Sequence, residues 1–411
     1  MFLKMILINL GGVLIVYEIF SELNLDELVS SINDEVIEWR RYLHENPEVS
    51  FQEENTALFV YDKLKSFGNL EISRPTKTSI VARLIGDYPG KVLAIRADMD
   101  ALPIQEENIM KFSSKNDGIM HACGHDGHTA MLLGAAKLLC NFKNQIKGEI
   151  RFIFQHAEEL PPGGAIEMVN AGVLNGVDQI IGAHLMSNLE TGKIGLKYGP
   201  MMAGADMFKI TIFGEGGHAS QPNQTIDPIL IGTQVVTNIQ HIVSRKIDPI
   251  DTAVISVTQF NGGTAVNVIP NFVTIGGSVR SFKPEVRKRI PELIEQVVNG
   301  VTNAHGAKYE IEYHFGYSPV INDHETTSLI EKTVCEIFGE ENRILINPIM
   351  GSEDFSAFLN EVPGTYFFVG VRNEEEGIVY PHHHPKFNID ERALKDGVKI
   401  FVQAAFNILN N

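Results

Sequence analysis

Between Met120 and His128 the chain reads MHACGHDGH, the densest run of potential metal ligands in the sequence. His121, Cys123 and His125 alternate, so an extended segment projects all three from one face. A thiolate and an imidazole at that spacing form a metal-binding pair. His121 and His128, taken singly, also read as ordinary polar residues at the start of a helix. Glu158 and Glu159 follow the apolar run RFIFQHA and precede LPPGG. Side chains of neighbouring residues diverge, so one carboxylate can ligate a cation while the other faces an activated water as base. Most Glu-Glu pairs are solvated surface charge; this one stands at the carboxyl end of an expected sheet strand, where open α/β sheets bind ligands.

The same placement collects further candidates. Asp98 and Asp100 follow KVLAIRA, His184 follows QIIGA, Glu353 and Asp354 follow the 344–350 segment, and His382, His383 and His384 follow TYFFV. If these strands are parallel, all the loops meet at one edge of the sheet. Together they offer a thiolate, several imidazoles and a carboxylate as ligands, with a glutamate and an aspartate to spare. A four-ligand structural zinc site is closed and leaves no base beside it, whereas two metals sharing a bridging ligand keep room for water. A two-metal hydrolase is therefore expected, with Asp100 accepting the second ring N–H of a ligating histidine.

The elements that must carry these groups read as a mainly parallel α/β sheet with helices on both faces. An amphipathic helix runs from Leu25 to Pro47, with Leu28, Ile32, Val36, Trp39 and Leu43 on one stripe, and a second runs from Glu53 to Phe67. Strands follow at 79–84, 91–97, 149–155 and 179–183, separated by helices near 128–141 and 163–171. After Gly199 and Pro200 the order becomes βαββαβ, with strands 207–213, 252–260, 272–281 and 309–314 and helices 227–244 and 284–303, a split βαβ pattern. Beyond Tyr317 the first pattern resumes, ending in a helix from Glu391 to Ile408. The expected organisation is an apolar extension over 1–24, a catalytic domain over 25–199 and 316–411, and an inserted ferredoxin-like domain over 200–315.

The chain has 411 residues, 44% hydrophobic and 21% charged, with 36 Gly and 18 Pro, which is ordinary globular usage and excludes disordered, collagenous and coiled-coil readings. Its formal charge of −17 repels a phosphate backbone, so nucleic acid is not an expected partner. Cys123, Cys140 and Cys335 are too few and too scattered for a disulfide framework. The apolar run 5–20 resembles a signal peptide but is interrupted by Glu18, lacks a small-residue cleavage site and is too short for a stable membrane span. The expected location is cytoplasmic, with export or anchoring through that run as the alternative.

The strings RADMDALPIQE (96–106), MHACGHDGH, FQHAEE with GGA, GAHL (182–185), GGHAS (216–220), NVIP (267–270), GSVRSF (277–282), GSEDF (351–355) and HHPKF (383–387) occur in that order. Together they resemble the aminoacylase and carboxypeptidase family of two-domain metallohydrolases, most closely its amidohydrolase branch, from about Leu25 to Ile408.

The resemblance implies two divalent metal ions, zinc or else manganese, cobalt or nickel. Cys123 takes the bridging position, His125 and His184 hold one metal, and Glu159 and His383 hold the other. Glu158 becomes the general base. The inserted domain becomes a lid and a homodimer surface, and His218 of one subunit serves its partner's site as an oxyanion donor. Asn267 and Arg280 match positions that hold the substrate carboxylate. The expected reaction is metal-dependent hydrolysis of N-acyl-L-amino acids. The alternatives are a dipeptidase or carboxypeptidase on the same scaffold, and a binder of amino acid conjugates without turnover.

Overall fold

The computed structural model describes residues 25–410. The apolar run 5–20 lies outside them, and among the described residues no helix is long and apolar enough to cross a membrane.

An eight-stranded sheet forms the centre of the molecule. Its spatial order is Glu71–Ser73, Ile80–Ile85, Lys147–Gln155, Tyr88–Asp98, Gln179–Glu190, Gly364–Arg372, Ile194–Leu196 and Arg343–Leu345. The four central strands run parallel. The sheet is mixed, because Ile80–Ile85 and Glu71–Ser73 at one side, and Ile194–Leu196 against Gly364–Arg372 at the other, pair antiparallel.

Alternation along the strands sends side chains to two different cores. Leu93, Ile95, Phe152, Phe154, Ile181 and Phe367 pack with the long helices His125–Cys140 and Arg392–Leu409. Ala94, Ile153, Ile180, Tyr366 and Phe368 face the short helices Gly164–Asn170 and Ser356–Leu359. Both faces are thus covered, which is why these strands read as continuous apolar runs.

From Gly204 to Phe315 the chain builds a separate antiparallel sheet, ordered Ala253–Gly262, Phe272–Ser281, Gly204–Phe213, Lys308–Phe315. Helices Pro228–Arg245 and Pro284–His305 close its own apolar core, which includes Ile210, Ile212, Val235, Ile239, Ile275 and Ile294. Asp227 caps the first of these helices, accepting from the backbone N–H of Ile229 and of Leu230.

Three local expectations need correction. The single helix expected over 25–47 is two, Leu25–Ser30 and Asn33–Glu45, because Ser30 and Ser31 turn their hydroxyls back to the carbonyls of Asp26 and Leu28. The helix expected from about His128 starts at His125, so His121, Cys123 and His125 do not share an extended segment. The strand expected to stop before His184 continues to Glu190, so that residue sits within a strand, beside Phe368 in register.

Candidate metal and catalytic site

Gly124, with φ 93°, makes the turn that ends the extended stretch after Met120 and starts the helix at His125. That turn, rather than strand alternation, brings Cys123 and His125 to one centre. The donor atoms of Cys123, His125 and His184 lie within 4.8 Å of one another, and so do those of Cys123, Glu159 and His383. The two groups share one sulfur.

Each imidazole is held so that one nitrogen faces the cluster. His125 donates through Nδ1 to Asp100 Oδ1 at 3.2 Å. His184 donates through Nδ1 to the Leu185 carbonyl at 2.9 Å, leaving Nε2 3.4 Å from Cys123 Sγ. His383 places Nε2 3.3 Å from Glu159 Oε1, while its backbone N–H donates to the Ala122 carbonyl and ties the late loop to the Cys123 turn. His383 adopts φ 64°, a left-handed conformation that costs a non-glycine residue about 1 kcal/mol or more.

The neighbouring histidines are engaged elsewhere. His382 uses Nδ1 with Ser187 and Nε2 with the Leu185 carbonyl. His384 accepts from Lys386 N–H and stacks on Tyr380. His128 bonds to Asp98 at 2.6 Å and accepts from Leu185 N–H, as the ordinary polar reading expected. His121 departs from that reading, being buried with no hydrogen-bond partner on either ring nitrogen.

Glu158 and Glu159 leave the backbone just after Ala157, which has φ 48°, and their carboxylates and the His125 ring lie within 4.8 Å of one another. Glu158 Oε2 lies 4.0 Å from His125 Nε2. Beneath them Arg96 is fully buried and donates to Gln155, Asp98, Glu353 and Asp354. Glu353 and Asp354 thus form the floor of the site, with Glu353 also accepting from Tyr366. Glu158, Glu353 and Asp354 gather within 4.8 Å.

One arginine does not neutralise so many carboxylates. Burial, then Glu353, Glu159 and Asp354, hold Glu158 well above the usual carboxylate range. Burial together with Glu159 and Glu158 pushes the Cys123 thiol well above its ordinary value. Burial opposes a charge on His125, but Asp98, Asp100 and Glu159 outweigh it and lift the imidazole to about 10. Burial, reinforced by His128 and His382, pushes His184 well below its usual value.

The donor set fits divalent cations. His125 Nε2 is buried without a hydrogen-bond partner and aims at the two glutamates. Sulfur, imidazole and carboxylate are the ligands that zinc and its divalent neighbours take.

The remaining sequence candidates do not join this cluster within the chain. His218 is exposed on the short strand Gly217–His218 and hydrogen-bonds Ser220. Asn267 is exposed beside it, its carbonyl accepting from Ala219 N–H. Arg280 pairs with Ala205, at the opposite end of the antiparallel sheet from Phe272 and Phe213.

Sequence reasoning missed Ser50 and Glu53. Ser50 donates to Asp100 at 2.6 Å, and Glu53 accepts from Ala157 N–H at 2.8 Å. The only sequence signal was a polar stretch at the mouth of a helix, which looks like an ordinary cap.

Residues 94–407 match the profile of peptidase family M20/M25/M40. The chain is 63% identical over 295 residues to an N-acyl-L-amino acid amidohydrolase of Geobacillus stearothermophilus, covering 72% of this chain and 80% of that one. It is 42% identical over 385 residues to thermostable carboxypeptidase 2 of Saccharolobus solfataricus, covering 93% and 97% of the two chains. A crystal structure of the Bacillus subtilis YxeP protein, described as a dinuclear metal binding peptidase, superposes with a TM-score of 0.82 at 36% identity, covering 92% of this chain and 99% of that one. The match spans most of the chain, and this chain is a member of peptidase family M20/M25/M40.

Proposed function

We propose that the protein hydrolyses the amide bond of N-acyl-L-amino acids in a metal-dependent reaction, releasing a carboxylate and a free amino acid. The observation that carries this reading is the sharing of Cys123 Sγ by two ligand groups, with Glu158 beside both. The identity to the Geobacillus amidohydrolase supports the same substrate class.

In this reading Cys123, His125 and His184 hold one divalent ion, and Cys123, Glu159 and His383 hold the other; zinc suits the donors, and manganese, cobalt or nickel compete by availability. Bound there, the ions supply an acidified water and a polarised carbonyl. Glu158 takes the proton of the attacking water and returns it to the nitrogen of the leaving amine. Its carboxylate stands within 4.8 Å of His125 and Glu159, within reach of a water held by the ions.

Asp100 keeps the His125 ring in its ligating orientation. The antiparallel unit 204–315 acts as a lid and a homodimer surface. Arg280 and Asn267 hold the α-carboxylate, and His218 of the partner subunit donates to the oxyanion. The three cysteines are free, which accords with a reducing, cytoplasmic setting where the Cys123 sulfur stays available.

A second reading, a carboxypeptidase or dipeptidase, is favoured by the 42% identity to a protein named as a carboxypeptidase. A ninhydrin assay for released amino acid, run on N-acetyl amino acids, hippurate and dipeptides with and without chelator, decides between them. Chelator-sensitive release from N-acyl amino acids supports the first reading. Release from dipeptides alone supports the second, and release from none supports a binding protein.

A further inference from the structure

The peptide units around Glu158 are held from three separate parts of the chain. Glu53 Oε1 accepts from Ala157 N–H at 2.8 Å, Asp100 Oδ2 accepts from Glu159 N–H at 3.0 Å, and Tyr317 Oη donates to the Glu158 carbonyl at 2.7 Å. The first two come from segments packed on the main sheet. Tyr317 has a different origin, standing just after strand Lys308–Phe315, where the antiparallel unit returns to the main sheet. Its own carbonyl accepts from Ala205 N–H at 2.9 Å, at the start of strand Gly204–Phe213, where that unit begins. One residue thus bonds the root of the antiparallel unit with its backbone and the Glu158 peptide with its side chain.

Space for this ring is reserved by the backbone. A Cβ on Gly163, which has φ 85°, would lie 2.9 Å from Tyr317 Cε1 and 3.1 Å from Oη. The same Cβ would lie 2.6 Å from Asp354 Oδ2, so any larger residue there would crowd both the phenol and that carboxylate.

We propose that Tyr317 is a positioning residue for the reaction: its hydroxyl fixes the Glu158 peptide, and so the direction of the Glu158 carboxylate, from the junction of the antiparallel unit with the main sheet. The proposal rests on Glu158 being the base. A carboxylate attached to a loosened peptide still exists but meets the water in the wrong geometry, and misplacement of about 1 Å costs turnover rather than binding. A hydroxyl that merely satisfied a loop carbonyl would instead affect stability alone.

The test compares Tyr317→Phe and Glu158→Gln, each as full-length metal-loaded protein, on one N-acetyl amino acid. For Tyr317→Phe the expected result is a kcat lower by about ten- to a hundredfold, with KM changed by less than about threefold. Metal stoichiometry should stay at the wild-type value and the melting temperature should fall only by what one lost hydrogen bond accounts for, with rates referred to the metal-bound folded fraction. Wild-type kcat in Tyr317→Phe, or a loss that only tracks lost metal or lost fold, overturns the proposal. If that happens while Glu158→Gln keeps its metal and has no turnover, the positioning role fails and the base assignment stands. Turnover retained in Glu158→Gln overturns both.

Discussion

His125 donates through Nδ1 to Asp100 Oδ1 over 3.2 Å, and this leaves its Nε2 buried without a hydrogen-bond partner, 3.9 Å from Glu159 Oε1. An ionised carboxylate only accepts, so the bond fixes the ring proton on Nδ1 and turns the other nitrogen into the site. The second oxygen of Asp100 accepts from Ser50 and from Glu159 N–H. One buried aspartate therefore orients both the His125 imidazole and the backbone of Glu159.

Asp100→Asn should weaken metal affinity by about ten- to a hundredfold, because an amide presents a donor to one of these three donors. Competition with a chromogenic chelator measures it. Wild-type affinity in the variant would remove Asp100 from this role.

Metal loading should release protons. Without a cation His125 holds its ring proton up to about 10, despite the opposing effect of burial, and the Cys123 thiol is raised well above its ordinary value. Both hold a proton at pH 8 and both must lose it to ligate, so binding should release at least about two protons per chain, more if Glu158 also gives one up, and weaken as pH falls. Titration of chelator-treated protein in dilute buffer, with a pH indicator, counts them. Cys123→Ser should release about one fewer and retain metal less well; unchanged stoichiometry and affinity would contradict the shared-sulfur assignment.

Glu158→Gln keeps the size of the side chain and removes its ability to take a proton. Turnover should fall by about a thousandfold or more while metal content and fold are retained. Steady-state rates and metal analysis on the same sample check this.

A buried ion-pair network next to the site carries a stability prediction. Asp126 Oδ2 accepts from Arg40 Nε at 2.8 Å and lies 2.8 Å from His44 Nδ1, with all three side chains buried. Burial opposes ionisation of Asp126, yet Arg40 and His44 hold its carboxyl far below the usual range. Asp126→Ala leaves Arg40 with Glu391 at 3.3 Å and Asn388 at 3.1 Å as its remaining carboxylate and amide partners and takes one from His44, and should cost about 3 kcal/mol in urea unfolding near neutral pH. A group with a lowered folded value contributes stability above its unfolded value of about 3.9 and loses it as the pH falls further. The gap between wild type and variant should therefore narrow progressively below about pH 4. A constant gap would assign the loss to packing instead.

The parallel centre of the sheet was legible because its strands are buried on both faces and read as apolar runs ending in polar clusters. The βαββαβ order was legible for a related reason, since alternation such as that of Met207 to Phe213 separates an exposed face from a buried one. Glu158 and Glu159 follow a strand end as expected, whereas His184 lies inside its strand and Cys123 meets His125 through a turn. Gly124 turns the chain where alternation suggested an extended run, and only coordinates distinguish these, since a glycine allows both. Ser50, Glu53 and Tyr317 were invisible because each bonds a group far along the chain, Ser50 the Asp100 carboxylate and the other two backbone atoms beside Glu158, and such bonds leave no periodicity or spacing in the sequence.

Metal analysis coupled to an amino acid release assay, on chelator-treated protein titrated with zinc or manganese, tests the central assignment most directly. The account predicts no release without metal, and release that rises until about two ions are bound per chain. Undiminished hydrolysis by protein holding no metal would contradict it.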